Sequence, residues 1–156
     1  MRTYTFPLTP AAATVALDLF ELTPADDIPI EVHSFRVWQT SDVGDAQEEV
    51  ITLSWIYGNT TSGSGGNTSV TGGRANPRDA AASVTCESGN TTAASSGTAV
   101  TQFSDGWNVR IPYSYIFIPE DRPSADQGNT LLVLRMGAAP ADSLTIGASV
   151  TVAEKI

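Results

Sequence analysis

The chain has few residues capable of covalent chemistry. It holds one cysteine and one histidine among 156 residues. A lone Cys86 excludes an intramolecular disulfide, so nothing indicates an oxidising compartment. A Cys-His nucleophilic site would need Cys86 and His33 within hydrogen-bond reach and a third group to orient them. Cys86 instead falls at an inward-looking strand position, with no helix start or basic neighbour to lower its pKa. One Cys and one His cannot fill a zinc site. No Gly-x-Ser-x-Gly elbow occurs, and the Gly-rich stretch lacks the Gly-Lys-Ser/Thr ending of a phosphate-binding loop. The residues therefore name no catalytic group, no metal ligand and no cofactor.

Charge is scarce as well, at 16% of residues, and it is one-sided: 17 acids face 8 bases, for a net charge of -9. Such a surface repels a phosphate backbone, which excludes nucleic acid as an expected partner. No apolar run approaches the roughly 18 residues of a membrane span. The N-terminal MRTYTFPLTP has no apolar core of a signal peptide, so the expectation is a soluble protein made in a cytoplasm. The acids Asp42, Asp45, Glu48 and Glu49 do not match a calcium-loop spacing, and a solvated connection is the simpler reading. Sequons at Asn59, Asn67 and Asn90 matter only in a secretory pathway.

What is present is strand pattern. Hydrophobic residues make up 41%, with 13 glycines and 9 prolines, a balance that suits short strands joined by turns. The cleanest alternation is Leu144, Ile146, Ala148 and Val150 against Thr145, Gly147, Ser149 and Thr151. Just before it, Leu131, Leu132, Val133 and Leu134 form an unbroken run, which predicts a central strand covered on both faces. A Gly-Pro-Asp-rich link at 137–143 predicts that these two strands form a hairpin. Further strands are expected over 2–6, stopped by Pro7 and Pro10, over 11–22, 28–39, 48–57 and 83–87, and weakly over 98–103. Within 28–39 the apolar parity switches, which predicts a bulge near His33 and Ser34. Trp107, Val109, Ile111, Tyr113, Tyr115 and Phe117 share one parity, with Pro112 marking an edge or a break.

Residues 58–73 are too polar and too glycine-rich to bury a face of their own, and loops of that length are uncommon unless functional or disordered. Asn76, Pro77 and Asp79 then carry the cap, first-position and first-turn chemistry of a short helical turn near residues 77–82. The tetrad GNTT occurs at 58–61 and again at 89–92, read as recurrent turn chemistry. The fold class is all-β, a single antiparallel β-sandwich domain over residues 1–156, jelly-roll-like. Trp38, Trp55 and Trp107 could line a sugar-binding face, although two of the three fall where core strands need bulk.

The succession SDVGDAQEE at 41–49, GNTTSGSGG at 58–66, NPRDAAA at 76–82, RPSADQGNTLLVLRM at 122–136 and AAPADSLTIGASVTV at 138–152 resembles a family of tailed-bacteriophage head decoration proteins, also called cement or auxiliary capsid proteins. The resemblance covers about residues 19–154 and brings no catalytic residue. It implies a non-enzymatic virion protein on the capsid exterior, made in the host cytoplasm. Its partners would be the major capsid protein and itself, as a homo-oligomer such as a trimer. The candidate interface loop comprises Asn59, Thr60, Thr61, Arg74, Asn76 and Pro77, with residues 59–77 expected to order mainly on a neighbouring subunit. The alternative is a carbohydrate- or receptor-binding module of a tail or fibre.

Overall fold

The computed structural model describes residues 1–41 and 49–156. Two antiparallel sheets pack face to face. Sheet A runs β5 (Gly73–Arg74), β1 (Arg2–Ala13), β11 (Leu144–Glu154), β3 (Ile30–Gln39), β8 (Tyr113–Ile116), with β9 (Ser124–Ala125) also pairing β3. Sheet B runs β6 (Thr85–Asn90), β2 (Asp18–Thr23), β10 (Leu131–Met136), β4 (Val50–Asn59), β7 (Val100–Asn108). If β5, β6 and β9 are set aside and the rest renumbered along the chain, the sheets read 1-8-3-6 and 2-7-4-5. That alternation between layers is the jelly-roll arrangement.

The inward residues follow the period-two pattern. Tyr4 and Phe6 of β1, Phe35 and Val37 of β3, Leu53 and Trp55 of β4, Leu132 and Leu134 of β10, and Ile146 to Val152 at alternate positions of β11 share one core. Phe35 sits at its aromatic end, edge-on to Trp55 at 5.8 Å and stacked with Phe117 at 5.9 Å. The bulge falls where the parity switch places it. Thr151 lies opposite Ser34 and Val152 opposite Val32, leaving His33 without a partner.

Several expectations are corrected. β1 does not stop at Pro7 but continues to Ala13. β5 covers it only at Tyr4 and Thr5, and Thr3 turns its carbonyl to that side to accept Ala75 N–H at 2.9 Å. Backbone direction alternates along a strand, so Pro7 presents its missing donor to an open edge. Residues 11–22 are two strands, not one: β1 ends in sheet A, the chain crosses the sandwich, and β2 begins in sheet B. β10 and β11 are likewise not a hairpin, because each is flanked on both sides by other strands of its own sheet. Alternation tells which face a residue takes, and it is silent on which strand lies alongside. At 76–79 there is a hydrogen-bonded turn and no helix, with Asp79 N–H donating to Asn76 O at 3.0 Å. The one helical turn among the described residues is the 3-10 segment Pro119–Asp121. Pro112 does mark a break: β7 carries Trp107, the chain turns, and β8 starts at Tyr113. Ile111, in that turn, is exposed, and its carbonyl accepts the Trp107 indole N–H at 2.9 Å.

Candidate interaction surfaces

The two outer faces of the sandwich differ. On sheet B, Leu131 and Val133 of β10 point away from the main core, yet both are buried, packed with Ala94. Their cover is the pair of polar loops. Thr61 bridges Ser95, Ser64 bridges Thr92, and Asn67 bridges Ser88, so the 61–67 stretch runs antiparallel to 88–95. This explains how β10 is buried on both faces with only one sheet against it.

A chain this polar and glycine-rich gains little by burial, so side chains from sheet B hold it in place. Glu21 lies opposite Val133 and hence on the same outer face. Its carboxylate accepts Ser62 Oγ–H at 2.7 Å and Gly63 N–H at 2.9 Å. Asp18, with its side chain fully buried, accepts Ala94 N–H at 2.7 Å and takes a two-point ion pair from Arg135, Nε to Oδ1 at 2.6 Å and Nη2 to Oδ2 at 3.1 Å. Arg135 also donates to Ala94 O at 3.1 Å. Charge-assisted bonds of this kind are the strong ones, and the planar guanidinium fixes their direction. Burial pushes the Glu21 carboxyl up, and bonds from Asn90, Ser62 and Gly63 draw it only partly back.

The repeated GNTT tetrads form matching corners of this lid. Each opens on a glycine of positive φ, 109° at Gly58 and 69° at Gly89. In each, the following asparagine is buried and ties down the loop. Asn59 Nδ2 donates to Ser96 O at 3.1 Å, and Asn90 Oδ1 accepts Gly66 N–H at 3.1 Å.

Of the candidate interface residues, Asn59 is therefore an internal strut. Thr60 and Thr61 are exposed on the lid, where both backbone N–H groups donate to Ser95 O. Arg74, Asn76 and Pro77 are exposed beside β1, at the margin of sheet A, so the six residues do not form one patch. The ordering of residues 59–77 is supplied within the chain: the lid bridges, β5 on β1, and Asn76 Oδ1 accepting Arg78 N–H at 3.1 Å. Sequence reasoning missed Asp18, Glu21 and Arg135. Their signal was a charge set at a strand position between apolar neighbours, as in Leu19-Phe20-Glu21-Leu22 and Val133-Leu134-Arg135-Met136.

A second buried carboxylate cluster closes one end of sheet A. Glu31 accepts Arg122 Nη1–H and Lys155 Nζ–H, each at 2.7 Å, and lies 3.0 Å from His33 Nε2. Burial alone would raise its pKa, but Lys155, His33 and Arg122 outweigh that and lower it to about 2. Glu154, wholly buried, accepts Ser83 N–H and Val84 N–H, the latter at 2.8 Å, and so secures the approach to β6. His33 and Cys86 lie in different sheets, and burial pushes the Cys86 thiol well up. Among the described residues no group of three His, Cys, Asp or Glu side chains is placed to hold a metal ion. Asp42, Asp45 and Glu48 lie outside the described residues, while Glu49 accepts Ala141 N–H at 2.9 Å.

Among the described residues no loop covers the outer face of sheet A. Ser149 of β11, Ser34, Arg36 and Trp38 of β3, and Ser114 and Ile116 of β8 point outward there, and Ile116 is 76% exposed. Trp55 and Trp107 are buried, so Trp38 is the tryptophan that reaches the surface. Comparison with known proteins finds no matching family model, no matching curated protein and no matching solved structure.

Proposed function

We propose that the protein is a non-enzymatic virion structural protein that binds the outer surface of a phage capsid and stabilises contacts between major capsid subunits, acting as a homo-oligomer. The observation that carries this reading is the lid on sheet B. Two polar loops, which include the GNTTSGSGG stretch of the decoration-family resemblance, are held in fixed shape by buried Asp18 and Glu21 and by half-buried Arg135. Loops presented on a rigid sandwich are where contacts with other molecules are usually made. A loop already ordered costs less entropy to dock than one that must fold on its partner. An oligomer then multiplies weak loop contacts through effective concentration. The acidic surface is compatible with a shell exterior, where no nucleic acid is met.

The test is reconstitution. Purified protein mixed with heads lacking it should co-sediment and raise their resistance to heat, and a double change of exposed Thr60 and Thr61 to arginine should weaken this. Absence of co-sedimentation at micromolar protein would overturn the reading.

A further inference from the structure

The outer face of sheet A carries a shallow notch of about 600 Å³, lined among others by Arg36, Trp38, Pro112, Ser114 and Ser149. The sheet register builds it. Arg36 lies between Ser149 of β11 and Ser114 of β8, so a long cationic side chain is framed by two short hydroxyls. Trp38, two residues on and therefore on the same face, lies opposite Gly147. Its indole rests where a Gly147 Cβ would stand, within 2.7 Å of Cε2. The indole is thus seated against the sheet at Gly147, and the side chain remains partly exposed.

Side chains with donor groups line this notch. Arg36, Trp38, Ser114 and Ser149 form no side-chain hydrogen bond or ion pair among the described residues. Elsewhere the half-buried Arg122 and the exposed Lys155 are committed to Glu31, and the half-buried Arg135 to Asp18. In a chain with net charge -9, a guanidinium with no counter-ion among the described residues, beside a partly exposed indole, is complementary to a ligand that supplies both an anion and a flat apolar face. A notch of this size fits a sugar ring or two.

We propose that the Arg36–Trp38 notch is a saccharide-binding site selective for pyranose rings that bear a carboxylate. The ring stacks on Trp38, the carboxylate pairs with Arg36, and the ring hydroxyls meet Ser114, Ser149 and the indole N–H. The lid and this notch are on opposite outer faces of the sandwich, so a protein seated by its lid holds the notch away from the shell. That orientation rests on the proposed capsid role, while the binding itself does not.

The experiment uses the free protein, so its outcome is independent of capsid binding. Glucuronate oligosaccharides, and glucose oligosaccharides of equal length as the neutral probe, are titrated while the three indole N–H resonances are followed by NMR. Trp38→Phe assigns the Trp38 signal. The expected result is saturable movement of that signal alone, with glucuronate binding at least about 10-fold tighter than glucose. Arg36→Gln, at an exposed position that leaves the fold intact, should remove that preference. Ile116→Ser, on the same face outside the notch, should leave it unchanged. No saturable shift with glucuronate, equal affinity for the two sugars, or an unaltered preference in Arg36→Gln would each overturn the proposal.

Discussion

At Glu31 three basic side chains converge on one carboxylate. It stands on β3 next to the bulge residue His33, and it draws Arg122 from the segment before β9 and Lys155 from the end of β11 onto one carboxylate. Its folded-state pKa of about 2 lies below the ordinary 4.5. A depressed carboxylate contributes stability that is fully present above about pH 4.5 and disappears as pH falls toward 2, by roughly 2–3 kcal/mol. Urea melts from pH 7 down to pH 2.5 should show that loss. Glu31→Gln should lower stability at pH 7 by roughly 2–3 kcal/mol, since it strands the half-buried Arg122 while the exposed Lys155 stays solvated, and should flatten the acid limb. Cys86 provides a contrast at the same scale. With 2% exposure and a thiol pushed up by burial, it should react with a thiol reagent only as fast as the protein opens, and at the full rate in 6 M guanidinium. The bulge at His33 was legible from parity because a shift of one residue flips every later side chain. The clasp on Glu31 was not, since Arg122 and Lys155 are brought to it by tertiary folding alone.

Among the elements, the lid loops are the segments whose order depends on polar bonds. Asp18→Asn leaves Arg135 beside Ala94 without its counter-charge. It should cost about 3–5 kcal/mol, read by chemical denaturation, and expose the 58–67 and 90–98 stretches to limited proteolysis. Glu21 behaves oppositely although it also grips the lid. Its pKa is raised, so its contribution is present below the ordinary carboxylate range and is lost as pH rises through the folded value. Glu21→Gln should therefore cost under about 1 kcal/mol at pH 7, far less than Glu31→Gln, because the fold already disfavours the charge. The strands themselves were largely readable. Leu144 to Val152 alternates as observed, and Leu131 to Leu134 lies at the centre of sheet B. Pairing was not readable: residues 14–17 read as the interior of one strand and 137–143 as a hairpin turn, yet both cross between the sheets. The long polar stretch at 58–73 was legible as a loop, but its internal ladder was not. Bridges such as Ser64 to Thr92 join residues of no distinctive pattern, and the buried Asn59 and Asn90 resemble ordinary turn residues.

Across the whole molecule, the layered jelly roll gives one face closed by pinned polar loops and one face bearing Arg36 and Trp38. Such an architecture serves many functions, and the role follows from the surfaces mounted on it. The proposed adhesive role needs the lid to exist in its final shape before any partner arrives. In its absence, ordering 59–77 on the capsid would consume binding energy in proportion to the residues fixed, roughly 1–2 kcal/mol each. The most direct measurement is amide hydrogen exchange on the free protein. Gly63, Gly66 and Ala94, whose N–H groups donate to Glu21, Asn90 and Asp18, should exchange on the order of 100-fold or more slower than in an unstructured chain. Asp18→Asn should release Ala94 first. Unprotected exchange at all three sites in the free protein, with protection appearing only on assembled particles, would contradict the account.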